Sequence, residues 1–239
     1  MKTIFCISFL FLCACISCNT NQSEKKTPNE TLNKQVTGNE STPTENNILN
    51  DQLTKLLSGN RRFLTETSDT IHEDLKRVKA TQNEQNPFAV ILTCSDSRMD
   101  THLIFDQGIG DLFEIKNAGN LIYDIDMGSI EYAIEHLGIK LVVVVGHTNC
   151  GAIKAYVQDT GKQFKKHTNH IDDILEIIDH ETEIKNIDKD SPDYYNACIK
   201  ANILHSKNVI EKNKIVKENH ARVIPLLYDL STGAVSLLN

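Results

Sequence analysis

Two stretches of sequence decide the fold: FAVILTCSDSR at residues 88–98 and KLVVVVGHTNCGA at residues 140–152. Each opens with a continuous apolar run that contains β-branched residues, which is typical of a strand covered on both faces in a parallel sheet. Residues 111–119, DLFEIKNAG, predict a third strand. Residues 223–238, VIPLLYDLSTGAVSLL, predict a strand, a turn at 231–233 and a second strand.

Helical patterns separate these strands. Residues 48–64 carry four apolar side chains at helical spacing, namely Leu53, Leu56, Leu57 and Phe63. Gly59 and Asn60 are expected to end or bend that helix. Residues 72–82 and 127–138 predict two further helices. Strands that alternate with helices predict an α/β fold, with a mainly parallel central β-sheet flanked by helices and an N-terminal helical arm.

The amino terminus is predicted to be a signal peptide. Residues 1–18, MKTIFCISFLFLCACISC, contain one lysine, an apolar run shorter than the roughly 20 residues of a membrane-spanning helix, and small residues with cysteine. The segment resembles a bacterial lipoprotein signal, which implies lipid attachment at Cys18, or alternatively at Cys15. A plain secretory peptide is the other interpretation. We expect an exported protein of the bacterial envelope or periplasm that contacts the membrane only through an N-terminal lipid anchor.

Composition sets the rest of the domain organisation. Residues 19–47 are polar and nearly free of large apolar side chains, so we expect a flexible tether. Residues 48–239 are long enough for one α/β domain. The formal net charge of −7 argues against nucleic acid as a partner, because phosphates favour basic surfaces.

The cysteines do not form a disulfide framework. Of the seven, four lie in the signal: Cys6, Cys13, Cys15 and Cys18. Cys94, Cys150 and Cys198 remain, and three thiols cannot all pair. In an exported protein, thiols without disulfides suggest protection by a bound metal. Cys198 is interpreted as a small core residue with no role in the site.

A metal site is predicted where the two deciding strands end. Cys94 follows the first strand, and His147 and Cys150 follow the second, so all three are expected at the carboxyl edge of the sheet. Two thiolates and one imidazole suit Zn²⁺ and leave a fourth position open, unless Asp96 closes it. Asp96 and Arg98 are spaced to form a charge-assisted pair. The alternative for His147 and Cys150 alone is a core histidine beside a buried thiol, and the Cys94, Asp96 and Arg98 motif alone is little more specific.

Another histidine pair has metal-like spacing. His167 and His170 are separated by two residues, but their flanks are polar and no third ligand is nearby. They are interpreted as surface histidines.

The motifs together resemble one enzyme family. CSDSR with GHTNCGA is similar to the β-class carbonic anhydrases, and the similarity runs from LLSGNRRF at residues 56–63 to YDLSTGAV at residues 228–235. LIFDQGIGDLFEIKNAGN at 103–120 and SIEYAIEHLG at 129–138 also match in order and spacing. The resemblance implies reversible hydration of carbon dioxide to bicarbonate and a proton by a zinc-bound hydroxide.

The resemblance also implies residue roles. Cys94, His147 and Cys150 would bind one Zn²⁺ per subunit, with Asp96 and Arg98 as a catalytic dyad. The implied substrate-binding residues are Gln85, Phe113, Gly119 and Tyr132. Phe113 and Tyr132 match positions that often line the pocket from across a dimer interface. A homodimer or homotetramer is therefore expected, with CO₂ and bicarbonate as the small-molecule partners.

The sequence departs from the family pattern in two places. Lys116 stands where the family usually has Arg before Asn-Ala-Gly-Asn, and lysine lacks the planar fork needed for a bidentate pair. We expect this to affect stability or assembly rather than chemistry. The chain has no Trp, so an allosteric bicarbonate site that depends on tryptophan is not expected. His102 and His136 can titrate as proton shuttles, but surface or interface histidines are the favoured interpretation.

Two rival functions stay open at this point. A hydrolase of COS or CS₂ would use the same zinc chemistry on another linear molecule. A membrane-anchored module that binds zinc or bicarbonate without turnover is the alternative from a different class. Asp96 and Arg98 argue against the module, because a structural metal site has little use for such a pair.

Overall fold

The described part of this computed structural model comprises residues 43–69, 72–159 and 169–238. All of it lies in one unit of the chain, Gly38–Asn239. The predicted signal with Cys15 and Cys18 lies outside the described residues. So do most of the predicted tether and His167.

The strands of the described residues form one sheet. They are β1 (Ala89–Cys94), β2 (Leu112–Asn117), β3 (Leu141–His147), β4 (Arg222–Tyr228) and β5 (Val235–Leu237). Their order is β2-β1-β3-β4-β5. The first four are parallel to one another, and β5 pairs antiparallel with β4. The mainly parallel α/β sheet predicted from the sequence is confirmed.

The two deciding strands occupy the centre of the sheet. Every residue of β1 and β3 is buried, and each of the two strands pairs with neighbours on both sides. A strand covered on both faces has no position for a polar side chain in water. This burial explains the unbroken apolar runs.

Two helices precede β1, and the other described helices lie in the connections between β1 and β4. The helices are α1 (Pro43–Leu64), α2 (Leu75–Ala80), α3 (Thr101–Ile104), α4 (Asp124–Leu137), α5 (Gly151–Asp159), α6 (His170–Asp179), α7 (Thr182–Lys185), α8 (Tyr194–Lys212) and α9 (Lys214–Glu218). The long helix α8 packs on β3 and β4. Among the described residues, no helix combines the length and hydrophobicity that crossing a membrane requires.

The first helix differs from the sequence expectation at both ends. It begins at Pro43 rather than at Ile48, and it continues through Gly59 and Asn60 to Leu64. A Cβ at Gly59 would collide with the Phe105 carbonyl, so the glycine permits close packing. Asn60 is buried. Its Nδ2 donates to the carbonyls of Ile104 and Gly233, at 3.1 and 3.0 Å. Neither residue ends the helix. Both instead allow α1 to pack against other parts of the chain.

A buried carboxyl makes the stability of this fold depend on pH. Glu181, between α6 and α7, is 1% exposed, and its Oε1 accepts a hydrogen bond from Asn202 Nδ2 at 2.8 Å. Burial raises the pKa of Glu181 from an ordinary 4.5 to about 8, and Glu183 acts in the same direction. The folded protein therefore favours the neutral acid. Its stability decreases as pH rises from the unfolded pKa towards the folded one.

We predict that Glu181→Gln removes this pH dependence. The amide keeps an acceptor for Asn202 but cannot ionise, so the wild type should lose about 1.4 kcal/mol of stability per pH unit, relative to the variant, between about pH 4.5 and 8. Urea unfolding across this range measures the difference. Glu84→Gln, at an exposed site, is the control and should follow the wild type. Parallel curves for wild type and Glu181→Gln would contradict the prediction.

Candidate metal centre

Three buried ligand atoms converge at the carboxyl edge of the sheet. Cys94 is the last residue of β1, His147 is the last of β3, and Cys150 directly precedes α5. One ligand atom from each lies within 4.8 Å of the other two. Because β1 and β3 are parallel neighbours, their ends lie side by side. The convergence predicted from the two separate motifs is confirmed.

The donors fit a zinc ion. The Nδ1 atom of His147 lies 2.8 Å from the Thr148 carbonyl, which leaves Nε2 to face the two sulfurs. This Nε2 is buried without a hydrogen-bond partner among the described residues. An imidazole fixed through one nitrogen, with the other free for a metal, is the usual arrangement of a histidine ligand. Two sulfurs and one nitrogen are a donor set that Zn²⁺ prefers.

The two thiols contact each other directly. A hydrogen bond between Cys94 and Cys150 lowers the pKa of Cys94 and raises that of Cys150. The Gly119 amide also donates to Cys94 Sγ, at 3.3 Å. Near Cys150, the first amides of α5 favour the thiolate, as expected for a cysteine at the start of a helix. The pair therefore readily supplies one thiolate, and a divalent cation is what would stabilise the second.

The Asp96–Arg98 pair lies beside this group. Arg98 Nε donates to Asp96 Oδ1 at 2.8 Å, and Arg98 Nη2 donates to Oδ2 at 2.7 Å. This fork holds the pKa of Asp96 well below its ordinary value. Asp96 Oδ2 is 3.9 Å from His147 Nε2. The carboxylate is thus ionised, oriented by Arg98 and close to the metal group, of which it is not a member.

The Gly119 segment lies against the metal group. The Gly119 amide donates to Cys94. The amides of the next two residues, Asn120 and Leu121, donate to the carbonyl and the side chain of Asn117. All three amides therefore have acceptors within the protein. The segment supports a metal ligand rather than offering free donors to an anion.

The other predicted pocket residues lie away from the metal group within this chain. Phe113 pairs in register with Val90, four residues before Cys94, which places it about 13 Å back along the sheet. Its ring lies 6.3 Å from that of Tyr132, which is 45% exposed. Gln85 is exposed in the segment that precedes β1.

The remaining titratable candidates have partners outside the centre. His102 lies 3.2 Å from Glu114, which raises the pKa of the imidazole. The ring of His136 lies 5.0 Å from that of Tyr132 on α4. His170 is fully exposed and pairs with Asp173. Cys198 is buried in α8, as expected for a core residue.

Sequence reasoning missed several polar residues that surround the centre. Tyr195 donates its hydroxyl to the Cys150 carbonyl at 2.8 Å. Asn202 and Ser206 of α8 bind Asn120, next to Gly119. Asn120 has φ of 49°, and a polar residue directly after a glycine is a recognisable signal for such a conformation. The partners on α8 leave no comparable signal, because they are more than 80 residues away in sequence.

Comparisons with known proteins agree with this geometry. Residues 89–235, more than half of the chain, match the carbonic anhydrase family, and the match includes the three ligand candidates. Carbonic anhydrase of Mycolicibacterium smegmatis is 41% identical over 100 residues, covering 42% of this chain and 48% of that protein. The chain thus spans about half the length of that relative. Carbonic anhydrase of Emericella nidulans is 28% identical over 74% of this chain and 86% of its own length.

A solved structure extends the comparison to the fold. The Coccomyxa β-carbonic anhydrase, in complex with acetazolamide, superposes with a TM-score of 0.58 at 26% identity. The superposition covers 78% of this chain and 86% of that chain. The sheet order, the Cys-His-Cys group and the sequence matches all lead to the same assignment. This chain belongs to the carbonic anhydrase family, in its β class.

Proposed function

We propose that this protein catalyses the reversible hydration of carbon dioxide to bicarbonate and a proton. The observation that carries the proposal is the buried Cys94–His147–Cys150 group with an ionised, Arg98-bound Asp96 beside it. A metal site without chemistry has no need of the carboxylate. Membership in a family whose named relatives are carbonic anhydrases supports CO₂ over COS or CS₂ as the substrate.

Zinc is the cofactor that the donor set fits. Cys94, His147 and Cys150 would hold the ion. When bound there, Zn²⁺ supplies a Lewis acid that makes water available as a nucleophile near neutral pH. The buried positions of all three ligands keep competing water away from the sulfurs.

Asp96 is proposed to orient the attacking water. Both of its oxygens accept hydrogen bonds from Arg98, so the carboxylate cannot rotate away, and it remains an acceptor at neutral pH. Its Oδ2 lies on the side of His147 Nε2, where it can accept a hydrogen bond from the water and so direct an oxygen lone pair towards CO₂. Arg98 acts through Asp96 and is a positioning residue in this scheme.

A second copy of the chain is proposed to complete the pocket. Phe113 and Tyr132 lie near the β2 edge of the sheet, too far back to line the centre of their own chain. Large apolar side chains on α4 and just before it remain exposed, with Tyr123 at 61% and Ile125 at 79%. An exposed apolar surface beside β2, which is an edge strand among the described residues, suits a self-complementary interface. Gln85, also exposed, is proposed to reach bicarbonate in the assembled pocket.

The cellular site is proposed to be the bacterial envelope. The signal-like residues 1–18 support export, and lipid attachment at Cys18, or at Cys15, would anchor the protein to a membrane from its terminus. The polar residues that follow would separate the anchor from the domain.

The central prediction concerns turnover and zinc together. Asp96→Asn should retain one zinc per chain but lower kcat for CO₂ hydration by about 10²-fold or more, because the amide has one acceptor oxygen, which Arg98 would bind, and its uncharged NH₂ group cannot accept a hydrogen bond from water. Cys150→Ser should lose both zinc and turnover, because a ligand is removed. Stopped-flow CO₂ hydration and metal analysis measure the two effects. Asp51→Asn, exposed on α1, is the matched control and should resemble the wild type.

Two outcomes would contradict the proposed function. Zinc-loaded wild type that hydrates CO₂ no faster than buffer would favour a binding module. Faster hydrolysis of COS or CS₂ than hydration of CO₂, measured on the same sample, would favour the related hydrolase.

A second prediction concerns assembly. Ile125→Lys combined with Tyr132→Ser should shift the protein towards monomers in sedimentation, because both changes remove exposed apolar area from the proposed interface. Zinc content should stay unchanged, while CO₂ hydration falls with the loss of the shared pocket. Leu64→Ser, which removes an exposed apolar side chain elsewhere, serves as the control. A fully active monomer would contradict the shared pocket.

A third prediction concerns the anchor. When the full chain is expressed in a bacterium fed labelled fatty acid, Cys18→Ala should abolish labelling and release the protein from the membrane fraction. Cys15→Ala should leave the label in place. Loss of label in Cys15→Ala alone would move the anchor to Cys15. Wild type without label would favour a plain secretory peptide.

A further inference from the structure

A chain of hydrogen bonds between buried residues leads away from the metal centre. It starts at Cys94 Sγ, which accepts from the Gly119 amide at 3.3 Å. The next residue, Asn120, donates from Nδ2 to Asn202 Oδ1 at 2.8 Å. Asn202 in turn donates from Nδ2 to Glu181 Oε1 at 2.8 Å. Asn120, Asn202 and Glu181 are each no more than 2% exposed.

These hydrogen bonds run in one direction along the chain of residues. Asn202 turns its amide nitrogen towards Glu181 Oε1 and its amide oxygen towards Asn120. Asn120 must then present its own nitrogen. A flipped Asn202 would place its NH₂ group against the NH₂ group of Asn120, which is costly in a buried site. The orientation of Asn202 therefore determines how Asn120 is bound.

The segment bound in this way has an unusual backbone. Gly119 has φ of 87° and Asn120 has φ of 49°, so two successive residues are left-handed. Ser206 Oγ also donates to the Asn120 carbonyl, at 3.0 Å. Helix α8 thus binds Asn120 through both its side chain and its main chain. Two successive left-handed residues have few hydrogen bonds of their own that restrain the backbone. The direction of the Gly119 N–H therefore depends on how Asn120 is bound.

The packing of α8 against this edge of the sheet is equally specific. A Cβ on Gly146, the residue before His147, would collide with Ile203, the residue after Asn202, and would come within 3.2 Å of Asn120 Oδ1. The same turn of α8 therefore lies against the end of β3, which carries His147, and binds the segment next to Gly119. Packing alone would require only an apolar residue at position 202, so the polar side chain of Asn202 has a role beyond packing.

We propose that Asn202 is a positioning residue of the zinc site: through Asn120 it keeps the Gly119 amide on the Cys94 sulfur. An N–H donor directed at a thiolate stabilises the charged form, and outer contacts of this kind set ligand orientation. The inference rests on the zinc site of the proposed function and not on turnover. Its consequences are measurable on the metal-loaded protein without any substrate.

The test uses the full chain loaded with Co²⁺ or Zn²⁺. Asn202→Ala should shift the sulfur-to-Co²⁺ charge-transfer band to lower energy, because a thiolate without its N–H donor holds its electrons less tightly. Zinc affinity, measured by competition with a chelator, should fall about 10-fold. Asn120→Gly should shift the band in the same direction. Glycine adopts positive φ readily, so Asn120→Gly retains the left-handed backbone at this position. It therefore tests the proposal even if Asn202→Ala fails to fold.

A double variant tests whether the two residues act as one unit. If they do, the combined loss of zinc affinity should be close to the larger single loss rather than to the product of the two. Ile210→Ala is the control for general weakening of α8, since Ile210 is fully buried in the same helix and is outside the hydrogen-bond chain. It should lower the unfolding midpoint and leave the Co²⁺ band in place.

The outcomes separate this proposal from the proposed function. Suppose that the wild type binds zinc and hydrates CO₂, while the variants keep the wild-type Co²⁺ band and a zinc affinity within twofold of the wild type. That result would overturn the role of Asn202 and leave the proposed function intact. Multiplicative losses in the double variant, or an equal band shift in Ile210→Ala, would also overturn this role. A wild type that takes up neither metal would overturn both proposals.

Discussion

The parallel pairing of β1 with β3 is the constraint on which the site depends. Thr93 lies opposite Val145 in this register, which brings Cys94 at the end of one strand close to His147 at the end of the other. A shift by one residue would turn every side chain to the opposite face of the sheet. The buried Thr93 hydroxyl donates to the Val145 carbonyl at 2.9 Å and adds a side-chain contact specific to this register. The ligand geometry is therefore a consequence of core packing.

The centre combines a buried inner part with an open outer part. The ligand side chains are at most 5% exposed, and the Gly119 amide and the start of α5 stabilise their sulfurs. Arg98, by contrast, is about half exposed and holds Asp96 by two hydrogen bonds. Buried donors favour metal binding, whereas a hydrated rim allows substrate and protons to exchange. The two requirements are met by different segments: Asp96 and Arg98 follow β1, whereas Gly119 follows β2 and α5 follows β3.

The sequence predicted those features that are encoded locally. Continuous apolar runs marked β1 and β3, and the residues just after them marked the ligands, because parallel strands end at one edge. Gly59 and Asn60 were misread, since a glycine within a helix gives no sign that the Phe105 carbonyl lies against it. Asn202 and Glu181 were not found because their importance arises only from contacts distant in sequence. Phe113 and Tyr132 were assigned through resemblance, and one chain alone does not bring them to the centre.

Lys116 shows how a departure from the family pattern fits the same edge. Its Nζ donates to the Met99 carbonyl at 2.7 Å, and the Met99 amide donates back to the Asp96 carbonyl at 2.9 Å. The ammonium therefore binds the turn that carries Asp96 and Arg98. A single carbonyl acceptor needs only one donor, so a point charge suffices where a planar fork would leave donors unused. Because the contact is to the main chain beside the dyad, lysine can preserve the turn without altering either side chain of the pair.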